Sequence, residues 1–290
     1  MSQHTRTAGT RGPSNIIRLL VGVFVLMALG LVVVKVIVPA VLGTNQQTVT
    51  QSQPAQNIGE VVSEPVAVEE PPADLSTFAG QLSAGQVSSI RVVGDSITAG
   101  YLINGFDDES DTGVVVYDGG EGTYYETPTY VRCWTNLFRE YAAGRGVGSF
   151  VNAGVSGFRM SYLADEPSSW LGDGADVIVV MLGTNDAAKE SIEDFRYYAE
   201  AALTAASERC SHLVVVSPPN NERTDAENLY GMDQIDQVLT ELCAEHGWEH
   251  VSLYDVLSVY TDDFFDDEVH PSEQGSSKLW SAFHDRLGLA

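Results

Sequence analysis

From Asp176 to Leu182 the chain reads DVIVVML, a run whose six residues after the aspartate are all apolar. A strand turns successive side chains to opposite faces, so an unbroken apolar run must be covered on both faces. Ser89 to Gly94 (SIRVVG) and His212 to Ser217 (HLVVVS) repeat the pattern, and Ser149 to Asn152 (SFVN) and His250 to Leu253 (HVSL) are shorter candidates. Apolar residues at helical spacing separate these runs. A helix opening at Thr127-Pro128 carries Val131, Trp134, Phe138 and Tyr141, and a second carries Ile192, Phe195, Ala199, Ala202 and Ala206. A third is striped by Leu229, Met232, Ile235, Leu239 and Leu242, and a last one after Ser272 by Leu279, Trp280, Phe283 and Leu287. Strand alternating with helix predicts a three-layer α/β/α sandwich around a five-stranded, mostly parallel sheet.

Residues before this unit are of a different kind. Leu19 to Val34 is apolar without interruption, follows Arg6, Arg11 and Arg18, and resumes beyond Lys35 to Leu42. As a helix, Leu19 to Leu42 spans about 36 Å, enough for a hydrocarbon core of about 30 Å. The arginines favour a cytoplasmic N-terminus, so a transmembrane signal-anchor over 1–43 is expected, single-pass in the cell membrane with the domain that follows extracytoplasmic. A cleaved signal peptide, and hence secretion, is the alternative, with Val38-Pro39-Ala40 a tolerable cleavage site. Residues 44–75, rich in Gln, Thr, Ser, Pro, Val and Glu, predict a disordered extracytoplasmic linker. The folded domain is expected over 76–290.

Charge excludes one class of partner. The chain carries 15 Lys and Arg against 40 Asp and Glu, a net charge of -25. Four of those bases precede residue 44 and no acid precedes Glu60, so the remainder is more acidic still. Such a surface repels phosphate backbones, and no nucleic-acid partner is expected. Three cysteines, Cys133, Cys210 and Cys243, set no disulfide framework. Cys210 and Cys243 are open to pairing or to remaining buried thiols.

In open α/β sheets, ligands bind beyond the carboxyl ends of the strands. The first strand ends in Gly94-Asp95-Ser96-Ile97-Thr98, the second in Asn152-Ala153-Gly154-Val155-Ser156-Gly157, and the third in Gly183-Thr184-Asn185-Asp186. Asp267-Glu268-Val269-His270-Pro271 follows the last strand. With these four blocks in order, the sequence closely resembles the SGNH (GDSL-type) hydrolase family over about residues 76 to 290. The resemblance implies a flavodoxin-like fold and an esterase with Ser96 as nucleophile, His270 as base and Asp267 orienting the base. Its oxyanion hole would use the Ser96 and Gly154 backbone N–H groups and the Asn185 side chain.

Chemistry asks for the same set. A serine hydroxyl is a poor nucleophile until a neutral imidazole takes its proton, and the imidazole needs a partner to fix its tautomer. Asp267 is three residues from His270 and reaches it locally. Glycine at 154 permits close backbone approach, and Asn185 offers an uncharged donor. Taken singly, Ser96, Gly154 and Asn185 are ordinary turn or cap residues, and Asp267 lies in an acidic run. Their joint occurrence on one rim gives the set its meaning. Asp95 and Asp186 read as structural hydrogen-bonders and Ser156 as a turn residue.

Other chemistries find no support. Asp107, Glu109, Asp111 and Asp118 fall at calcium-loop spacing, but Thr112 stands where such a loop requires glycine. No phosphate loop or zinc helix motif occurs, and no metal or cofactor is expected, water being the second nucleophile. The long connection from Tyr101 to Tyr130 is expected to shape the pocket. Its tyrosines either stack on sugar rings or pack the loop on the core. Tyr101, Phe158 and Met160 are candidate substrate-binding residues, the last two with Tyr162 and Leu163 as an acyl groove. The expected substrate is an O-acyl, foremost acetyl, ester on carbohydrate, with a lipid or small ester as alternative. A membrane-tethered carbohydrate-binding or cell-wall adaptor without catalysis is the alternative of another class. Oligomeric state is left open.

Overall fold

The computed structural model describes residues 73–118, 123–223 and 227–290. In chain order the elements are α1 (Phe78–Ser83), β1 (Ser89–Gly94), α2 (Ser96–Ala99), β2 (Val115–Asp118), β3 (Thr123–Tyr125), α3 (Trp134–Gly144), β4 (Ser149–Gly154), α4 (Met160–Asp165), α5 (Pro167–Leu171), β5 (Ala175–Met181), α6 (Ile192–Ser207), β6 (Cys210–Ser217), α7 (Met232–His246), β7 (Glu249–Ser252) and α8 (Glu273–Arg286), with a 3-10 turn at Asp186–Ala188.

Five strands form one parallel sheet in the order β4-β1-β5-β6-β7. Counted along this sheet alone the order is 2-1-3-4-5, the flavodoxin-like winding, whose switch point lies at the carboxyl end of the first strand. Ser96 stands there, one residue beyond Asp95 and two beyond the end of β1. β2 and β3 form a separate antiparallel hairpin within the connection from β1 to β4.

The continuous apolar runs are explained by two packed faces. Val93, Ile178, Val180 and Val215 face one layer, where Phe195 and Leu203 of α6 and Ile235 and Leu239 of α7 cover them. Val92, Val177, Val179 and Val214 face the other, under Trp134 and Phe138 of α3 and Leu279 and Phe283 of α8. The Phe138 ring meets Phe283 at 5.1 Å and stacks on Trp280 at 5.6 Å. In comparable cores, truncating such a ring to alanine costs about 3–5 kcal/mol.

Several expectations need revision. The helix expected from Thr127-Pro128 begins instead at Trp134. Thr127 Oγ1 is drawn to Ala99 O at 2.8 Å, and Asn136 Nδ2 to Pro128 O and Val131 O at 2.9 and 3.0 Å, which closes a turn ahead of the helix. The helix expected from Leu229 starts at Met232, and Leu229 itself is exposed. All three cysteines are free thiols.

The expected membrane anchor is also corrected. Among the described residues no helix is long and apolar enough to cross a membrane, and the 19–42 segment lies outside them, as do 1–43 and most of the 44–75 linker. Membrane attachment through an N-terminal helix and the single-pass localisation are therefore withdrawn.

Candidate active site

The site is organised around α2, a helix of one turn whose ends are satisfied by side chains. Asp95 is its N-cap, its carboxylate accepting from the Ile97 N–H at 2.9 Å. Ser96 O accepts from the Gly100 and Tyr101 N–H groups, but the later carbonyls of so short a turn need partners outside it. Thr98 O accepts from Thr135 Oγ1 at 2.9 Å and from Asn152 Nδ2 at 3.2 Å, and Ala99 O accepts from Thr127 Oγ1. Gly100, at φ +83, ends the turn in the left-handed conformation that glycine adopts without strain. Ser96 is thus held rigidly at the end of β1, with only 6% of its surface exposed.

His270 arrives from the other end of the chain. Its Nε2 lies 2.8 Å from Ser96 Oγ and its Nδ1 lies 2.6 Å from Asp267 Oδ2. The other oxygen of Asp267 accepts from the backbone N–H groups of Val269 and His270, each at 3.0 Å. Burial alone would raise the Asp267 carboxyl, but its bonds to His270 and Val269 outweigh this and hold it below the ordinary carboxylate range. The loop carrying the pair is braced from beneath. Buried Asp263 accepts from Lys278 Nζ at 2.6 Å and from Ser258 N at 3.2 Å, and Phe264 bridges to Pro271.

The oxyanion candidates lie on neighbouring strand ends. Asn185 Nδ2 donates to Phe158 O at 3.2 Å, which orients the amide. The Gly154 N–H donates to Asn152 Oδ1 at 3.1 Å, so that donor already has a partner. A Cβ on Gly154 would fall 2.4 Å from Ala99 N, so glycine is required by the approach of α2 itself. Three residues further on, Gly157 is exposed at φ +78.

Of the expected substrate contacts, Tyr101 packs its ring edge-on to His270 at 4.8 Å between centroids. Phe158 is buried but reaches the wall of a cavity, whereas Met160 lies wholly in the core. Asp95 is a structural acceptor, pushed up to about 6 by burial, against the pull of its bond to Ile97 and of His270. From sequence, Thr127 reads as a helix start and Asn152 as part of the second block, Thr135 has no reading, and none of the three was expected to brace the Ser96 turn. Their signal was slight: an asparagine two residues before Gly154 and two threonines near a helix start.

Among the described residues no group of three or more His, Cys, Asp or Glu side chains is placed to hold a metal ion. The parallel sheet and the hydrogen-bond chain Ser96–His270–Asp267 at its strand ends fit a hydrolase acting on ester bonds. Residues 92–278 match the model of the GDSL-like Lipase/Acylhydrolase family, and the chain belongs to that family.

Similar solved structures share the fold. One is LAE5, an alpha/beta hydrolase from the Lake Arreo metagenome, at 19% identity and a TM-score of 0.52, covering 70% of this chain and 95% of that one. A mutant of Axe2, an acetyl-xylooligosaccharide esterase from Geobacillus stearothermophilus, has 19% identity, a TM-score of 0.53 and the same coverage. The lipase/acylhydrolase from Enterococcus faecalis has 23% identity and a TM-score of 0.51, covering 69% of this chain and 95% of that one. No curated protein matches the chain significantly.

Proposed function

We propose that the domain formed by residues 76–290 is a serine esterase cleaving short O-acyl esters, acetyl foremost, through Ser96, His270 and Asp267. One observation carries this reading: the hydrogen-bond chain from Ser96 Oγ through both nitrogens of His270 to Asp267. Ser96 Oγ attacks the ester carbonyl carbon as His270 Nε2 takes its proton, and the carbonyl π electrons move to oxygen. Asp267, accepting at Nδ1, keeps Nε2 free to act as base and stabilises the imidazolium. The tetrahedral oxyanion is met by the Ser96 N–H, an N–H of the 154–157 turn and the amide of Asn185. If Gly154 serves on that turn, its N–H exchanges Asn152 for the oxyanion. Collapse expels the alcohol, protonated by His270, and leaves an acyl group on Ser96. A water, deprotonated by the same imidazole, then releases the acid and restores the serine.

The test is hydrolysis of p-nitrophenyl acetate by the full-length chain and by Ser96→Ala. Removing the nucleophile should lower kcat by at least about 10⁴ with the circular dichroism spectrum unchanged. Equal rates for the two would favour a non-catalytic adaptor.

A further inference from the structure

A cavity of about 590 Å³ opens against Ala99 and the Gly154–Ser156 stretch. Ala99 ends the single helical turn that Ser96 begins, so this cavity starts about 5 Å along the helix from the nucleophile. A second cavity of about 350 Å³ shares Tyr124, Val155 and Ser156 with the first and continues past Gly157. Together they form a cleft alongside the turn assigned to the oxyanion, walled by the hairpin that interrupts the connection from β1 to β4.

The lining has a definite chemistry. Tyr125 and Tyr124 are 59% and 49% exposed, and Asp108 and Glu109 stand near them. Glu126, whose side chain is fully buried, also lines the larger cavity. Its Oε1 accepts from Arg139 and from the Asn152 N–H, but its Oε2 has no partner. A buried acceptor left unmet is costly. An acyl chain laid here would strip water from the exposed carboxylates of Asp108 and Glu109. Hydroxyl groups would donate to them, while the tyrosine rings cover the C–H faces of a sugar. Among the described residues no lysine or arginine lines either cavity, and Arg159, which packs on Tyr162, is already paired with Glu190.

We propose that this cleft holds the alcohol side of the ester, and that the alcohol is an uncharged sugar ring of an O-acylated oligosaccharide. The proposal rests on Ser96 being the nucleophile, and its test separates the two. The full-length chain, Tyr125→Ala and Glu109→Lys are assayed on p-nitrophenyl acetate, on acetylated xylo-oligosaccharides and on acetylated oligogalacturonides, which carry carboxylates. In Tyr125→Ala, kcat/KM for the acetylated xylo-oligosaccharide relative to p-nitrophenyl acetate should fall about five-fold, the scale of one lost ring contact. The unmodified chain should prefer the neutral to the acidic oligosaccharide by about ten-fold, and Glu109→Lys should narrow that gap. The subsite is refuted if the chain cleaves p-nitrophenyl acetate but no acetylated oligosaccharide. Equal loss on both esters in Tyr125→Ala, or no discrimination against the acidic sugar, overturns it too. Failure on every ester, p-nitrophenyl acetate included, would count against Ser96 and not against the cleft alone.

Discussion

Asp186 Oδ1 accepts the backbone N–H of Met160 at 3.0 Å, tying the turn after β5 to the first residue of α4. The adjacent Asn185 makes a parallel tie to Phe158 O. Two neighbouring side chains thereby tie the third sequence block to the segment that follows the second.

Asp186 is completely buried, and burial first, then the nearby Glu190 carboxylate, pushes its pKa up to about 8. The folded state therefore holds a proton that the unfolded chain gives up near pH 4. Stability linked to this group is highest in acid and is lost progressively as pH rises from about 4 towards 8. Asp186→Asn keeps the acceptor for Met160 without the charge. Its melting temperature should gain on the parent as pH rises from 5 to 8, and a difference independent of pH would contradict this assignment.

Asp267→Asn should retain the fold but lose about 10⁴ in kcat. An amide presents a donor to Nδ1 as readily as an acceptor, so the imidazole is no longer held in the tautomer that leaves Nε2 free. Turnover within ten-fold of the parent would show that Asp267 only anchors the loop.

Gly154→Ala places a methyl group against backbone atoms, Ala99 N at 2.4 Å and Ala99 Cα at 2.8 Å. Backbone cannot rotate aside, so a loss of about 1–3 kcal/mol is expected, with kcat falling as α2 and Ser96 shift. Gly144 is a matched control: it ends α3 with nothing within 4 Å of its would-be Cβ. Gly144→Ala should leave chemical denaturation unchanged or slightly improved. Identical behaviour of the two variants would contradict the close-approach reading.

The strands were readable because both faces of the sheet are covered, which forces unbroken apolar runs; β1 runs over Ser89–Gly94 as expected, and β5 differs by one residue at each end. Ser272 also caps the last helix where its spacing with Leu279 and Phe283 placed it. The surroundings of Ser96 were harder. α2 is too short for any periodicity, and its partners Asn152, Thr127 and Thr135 come from three different segments. The hairpin β2–β3 was hidden in a connection whose aromatic and acidic residues suit either a loop or an edge. Met160 illustrates the opposite error: it follows the second block closely enough to suggest a pocket wall, yet its burial is set by α4 packing on the core.

Ser96 and His270 meet across 174 positions of sequence. During synthesis the hydroxyl-bearing turn is therefore made well before the imidazole that must meet it. On the proposed mechanism, ester cleavage waits until residue 270 has left the ribosome. By the same reasoning, a copy terminated anywhere before residue 270 carries the hydroxyl without its base.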